Sequence, residues 1–125
     1  MKNTKYFWQS VFMIYCSGIL LLSILKLNST GSLNEARVVG FRADYLLHVL
    51  IFVPFMLLFR WGWGFAHKSK TWFWPAVVFG LLLASVSEIV QWPLTYRTFN
   101  PIDLLANWGG IMLGAVIARW DKGKR

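Results

Sequence analysis

The sequence predicts an all-α protein, an integral membrane four-helix bundle with both termini cytoplasmic. Three observations lead there. Hydrophobic residues make up 57% of the 125 residues and charged residues 14%, with a mean hydropathy of +0.51. A soluble domain of that composition lacks the polar surface to cover itself, whereas long apolar runs suit a bilayer. Four such runs are separated by short polar or Pro-marked breaks, each near the ~20 residues that cross ~30 Å of hydrocarbon. The 13 Lys and Arg sit mostly beside these runs, as topology signals do. The net charge of +8 is therefore not read as a nucleic-acid footprint.

The first helix is expected over about 6–27, behind Lys2 and Lys5. Its apolar stretch from Val11 to Leu25 continues Tyr6-Phe7-Trp8 and exceeds a signal-peptide core, with no A-x-A site after it. It reads as a retained transmembrane helix. Asn28 to Phe41, rich in Asn, Ser, Thr and Gly, reads as an irregular connection. The second helix is expected over about 44–63, with Pro54 kinking its middle. Trp61 to Lys70 connects it to the third, expected over about 71–92 and closed by Pro93. The fourth is expected over about 101–119, opening on Pro101 as helix N-termini often do. The whole chain, 1–125, reads as a single transmembrane domain.

Counting basic residues orients the bundle. With the N-terminus inside, Lys2, Lys5, Arg60, Lys68, Lys70, Arg119, Lys122, Lys124 and Arg125 are inner, nine in all; Lys26, Arg37, Arg42 and Arg97 are outer, four in all. That bias places both termini in the cytoplasm. Trp8, Trp61, Trp63, Trp72, Trp74 and Trp120 then form an inner interfacial belt. The single cysteine, Cys16, lies in an apolar run and reads as a small buried hydrophobe.

Polar residues gather at the opposite ends of the helices. Asp44 and His48 share a face at i,i+4 spacing, so that carboxylate could orient or pair with that imidazole. Arg42 precedes them. Glu88 and Gln91 end the third helix, Arg97 lies in the following loop, and Asp103 and Asn107 open the fourth, again at i,i+4. Ionisable groups in a membrane chain are costly and persist where they pair or serve a purpose. Three acids against Arg42, Arg97 and His48 can neutralise one another, so a purely structural ion network stands beside a ligand site. Asp103 could equally complement a helix dipole. Gly110 and Gly114 form G-x-x-x-G, most simply a helix-packing face. One His with scattered carboxylates is a poor metal signal, and neither a metal nor any other cofactor is expected.

These residues are also those by which the chain resembles the VanZ-like family, small membrane proteins named after an accessory product of glycopeptide-resistance clusters. The shared pattern is Asp44 with His48, Glu88-x-x-Gln91, the downstream Arg97, then Asp103-x-x-x-Asn107-x-x-Gly110, covering about 42–114. Tyr45 departs from it, standing where many members have Lys. The resemblance implies a multi-pass protein of the bacterial cytoplasmic membrane and cell envelope, the founding member being associated with low-level resistance to teicoplanin. It supplies no reaction.

Three functions follow as expectations. In the first, the outer cluster of Arg42, Asp44, His48, Glu88, Gln91, Arg97, Asp103 and Asn107 binds an anionic lipid, a lipid-linked wall precursor or the glycopeptide itself, without catalysis. In the second, a membrane-embedded enzyme acts on a lipid or wall precursor, with Glu88, His48 and Asp44 as candidate acid or base. The lack of a Ser or Cys nucleophile motif tilts the choice towards binding. The third is an ion- or proton-coupled transporter, which with four helices would require a homo-oligomer.

Overall fold

The computed structural model describes residues 2–25, 37–38, 40–63, 71–96 and 99–120. Among these residues the protein is four helical rods. Helix α1 (Lys2–Ile24) is followed by a small antiparallel ribbon, β1 (Arg37–Val38) with β2 (Phe41–Arg42). The second rod comprises α2 (Ala43–Phe52) and α3 (Pro54–Trp63); α4 (Phe73–Ile89) and α5 (Pro101–Trp120) complete the set.

Helix α1 starts four residues earlier than position 6, because Lys2 to Lys5 carry nothing that breaks a helix. It stops at Ile24 rather than 27, where the Tyr96 hydroxyl donates to the Ile24 carbonyl. The connection that follows is not wholly irregular: Arg37 pairs with Arg42 and Val38 with Phe41. Gly40 turns this ribbon at φ +83°, a conformation that favours glycine.

Pro54 has no N–H to donate, and the helical ladder breaks for one residue at Val53, whose backbone stays helical at φ −56°, ψ −44°. The Tyr15 hydroxyl of α1 donates to the Ile51 carbonyl beside that break. Residues 43–63 therefore act as one apolar span.

Helix α4 ends at Ile89, not 92. The N–H groups of Gln91, Trp92 and Leu94 donate to carbonyls three residues back, at Glu88, Ile89 and Gln91, which tightens the chain into turns before and after Pro93. With 17 residues α4 is shorter than the three helices long and apolar enough to cross a membrane, 3–24, 43–63 and 101–120. Helix α5 opens as expected on Pro101, with the Asn100 side chain accepting from the Ile102 N–H at 3.0 Å as N-cap.

Helix α5 is the central rod, packed along α2, α3 and α4, while α1 lies mainly on α3. Its buried stripe, Asn107, Gly110, Ile111, Gly114, Ala115 and Ala118, is mostly small, so neighbouring backbones approach closely. A Cβ on Gly110 would collide with the Val49 carbonyl, and one on Gly114 with that of Val53. Phe12, Phe55, Met56 and Ile111 fill the core among these rods. Large apolar side chains such as Ile14, Leu50, Leu82 and Leu105 point outward, where a soluble protein would carry polar ones.

Candidate functional site

The close approach of α2 and α5 at Gly110 sets up the site one turn away. His48 on α2 meets Asn107 on α5, and Asn107 meets Glu88 at the end of α4. Glu88 and Asn107 are 0% and 1% exposed. The Asn107 Nδ2 amide donates to Glu88 Oε1 at 2.9 Å. A carboxylate can only accept there, so Asn107 Oδ1 is turned to His48 Nδ1, 2.8 Å away, which donates to it. A hydrogen-bonded line thus runs from a fully buried carboxylate through an amide to an imidazole at the cluster's edge. His48 Nδ1 also lies 3.9 Å from Glu88 Oε1, and His48 Nε2 lies 3.8 Å from Asp103 Oδ2. These last two are electrostatic contacts rather than hydrogen bonds.

The side chains of His48 and Asp103 are 25% and 17% exposed, so this end is reachable from outside. Asp103 is the third residue of α5, where the positive end of the helix dipole favours its charge. Its Oδ1 is buried without a hydrogen-bond partner among the described residues.

Asp44 does not orient His48. Arg42, two residues upstream, donates to it through Nε at 3.2 Å and through a terminal nitrogen at 2.8 Å. Tyr45 completes this arrangement: Arg42 donates to its hydroxyl at 3.2 Å and lies over its ring at 4.8 Å. A shared helix face made an Asp44–His48 contact geometrically possible. The forked guanidinium beside Asp44 and the amide facing His48 offer each a better-fitting partner. Gln91 is also apart from the line, buried in the turn after α4 and donating to the Ser87 carbonyl at 3.1 Å. Arg97 lies outside the described residues. So does His67. Among the described residues no group of three metal-ligating side chains is close enough to share an ion.

Two polar residues make contacts that the sequence alone did not suggest. Tyr45 is one; its position directly after Asp44 gave no hint of contact with Arg42. Arg60 is the other, counted only as a topology charge. It is 6% exposed and donates to the Ala118 carbonyl at 2.8 Å, satisfying one of the last carbonyls of α5.

The sequence profile of the VanZ/LLP1 family matches residues 7–121. The chain belongs to that family. No curated protein and no solved structure matches it. The family match extends well beyond 42–114 and takes in α1, which carries none of the polar motif. Family membership and the three membrane-capable helices together make this a VanZ-type membrane protein.

Proposed function

We propose that this VanZ-type protein resides in the bacterial cytoplasmic membrane, with both termini inside. Its polar cluster binds the headgroup of a membrane-borne ligand, a lipid or a lipid-linked wall precursor. Lowered susceptibility to a lipid-anchored glycopeptide such as teicoplanin is the proposed cellular consequence. The observation that carries the binding reading is the Glu88–Asn107–His48 line, which rises from a fully buried acid to a partly exposed imidazole beside Asp103. Partial exposure at one end only is what a site requires and a purely structural network does not. The cationic grip expected of Arg42 is less well supported, because its guanidinium is engaged by Asp44 and Tyr45.

Native mass spectrometry of the detergent-purified protein tests this reading. Wild type should retain a defined lipid or lipid-linked species that Asn107→Ala and Glu88→Gln lose. Equal, unselective lipid carriage by all three would sink it.

The same line favours one second reading, a membrane-embedded enzyme. With its Nδ1–H held by Asn107, His48 presents Nε2 as a base, oriented by Glu88 through the amide. His48 rather than Asp44 would then exchange the proton. Overexpression of wild type beside His48→Gln should shift the composition of extracted lipids or precursors; identical profiles would remove catalysis from consideration.

A further inference from the structure

We propose that the turn between α4 and α5 is an aromatic membrane anchor, its Trp92 and Phe99 rings seated in the ester and headgroup layer of the adjacent leaflet. The anchor lies outside the Glu88–Asn107–His48 line and does not depend on the headgroup-binding reading above.

Two contacts along α5 fix the depth of this turn. At one end the guanidinium of Arg119, one residue from the end of α5, lies 4.7 Å from the ring centre of Phe73, the first residue of α4. The two helices are flush there. At the other end Glu88, one residue from the end of α4, meets Asn107, six residues inside α5. At a rise of 1.5 Å per residue, α4 therefore stops roughly 8 Å below Pro101. The shortfall of the shorter helix is all at the polar end. The i−3 hydrogen bonds of Gln91 and Trp92, at about 2 Å per residue, then raise Trp92 to the level of the first turn of α5. Residues 101–120 form a membrane-length span, so that level is the edge of the hydrocarbon.

The rings suit such an edge. Gln91 is buried and holds the turn through the Ser87 carbonyl, leaving Trp92, 73% exposed, on the outside. Trp92 stacks on Phe99 with ring centres 6.0 Å apart, and the Tyr96 hydroxyl ties the same turn to the Ile24 carbonyl of α1. Rings held on a turn tethered at both ends lose little further freedom on insertion. Trp108, about two turns deeper, makes the contrast. Its indole N–H donates to Ser85 Oγ at 3.3 Å, as a ring facing hydrocarbon requires. The indole N–H of Trp92 has no hydrogen-bond partner among the described residues. An indole with an apolar face and an unspent N–H fits the layer where ester carbonyls and water begin. Its level, within the helix ends rather than above them, favours lipid over a water-soluble partner.

The test is tryptophan quenching in nanodiscs, taken as the emission of wild type minus that of Trp92→Phe. Phosphatidylcholine brominated next to the ester should quench this difference at least twofold more than phosphatidylcholine brominated near the chain end. Aqueous iodide should quench it less than it quenches free tryptophan. The matching difference for Trp108→Phe should shift towards the chain-end lipid. A nitroxide on Phe99→Cys in a Cys16→Ala background keeps all eight tryptophans and stands even if Trp92→Phe fails to fold. It should meet dissolved oxygen more often than a water-soluble nickel chelate. Iodide quenching without bromolipid quenching would place the rings in water and overturn the inference. Stronger quenching from the chain end would overturn it by sinking the rings into the hydrocarbon. Quenching by neither would overturn it by showing the face covered by protein, a second copy if Phe99→Cys also forms a disulfide-linked dimer.

Discussion

Replacing Asn107 by Leu, of similar size, would cut the line at its centre. Two hydrogen bonds disappear: the charge-assisted one to Glu88 at 2.9 Å, and the one from His48 at 2.8 Å. A hydrogen bond to a charged group contributes about 1.5–3 kcal/mol and a neutral one about 1. The His48 end is partly exposed and recovers some of its loss through water, whereas Glu88 is 0% exposed and does not. The expected cost is about 3 kcal/mol, a factor of roughly 150 in the unfolding equilibrium. Glu88→Leu on top of Asn107→Leu should then restore stability, because it removes the acid left without its amide donor; buried ionic groups can often be replaced by apolar ones at little cost. Unfolding in mixed detergent–SDS micelles, followed by the fluorescence of the eight tryptophans, measures all three free energies. A double variant less stable than Asn107→Leu alone would refute the reasoning, since Glu88 would then be stabilising the fold independently of Asn107. A cost below about 1 kcal/mol for Asn107→Leu would do the same.

Two further outcomes are expected. Gly110→Ala and Gly114→Ala should each destabilise the bundle by about 1–3 kcal/mol, since the new methyl meets the carbonyl of Val49 in α2 or of Val53 at the break after it. Gly109→Ala, with nothing within 4 Å, should be neutral or gain up to ~1 kcal/mol of helix propensity; similar values for all three would remove the close-packed interface. In a Cys16→Ala background, a membrane-impermeant maleimide should label Thr95→Cys on intact cells and Thr71→Cys only after permeabilisation, both positions being exposed. The reverse pattern would invert the proposed topology.

Most of the residues at the site could be found from the chain alone. His48, Glu88, Asp103 and Asn107 stand out because ionisable and amide groups are conspicuous in apolar helices, and their spacing places them at helix ends. Their pairing could not be found in this way. The i,i+4 relation of Asp44 to His48 suggested a contact within one helix, but the closest partner of His48 came from position 107, across an interface. Arg60 shows the same gap: a positive residue at a helix end looks like a topology signal whether it faces lipid headgroups or, as here, the last turn of α5.

Hydropathy and periodicity are local properties, so the sequence by itself determined the number of rods, their apolar faces, the start of α5 and the end of the bundle at which polar groups collect. Only the tertiary structure decided which polar atom meets which. Hydrogen bonds act over about 3 Å, and a displacement of one helical turn, 5.4 Å, exchanges every partner. That register is set where Gly110 and Gly114 let α5 seat against Val49 and Val53. Asn107, one turn from Gly110, is thereby carried between His48 and Glu88.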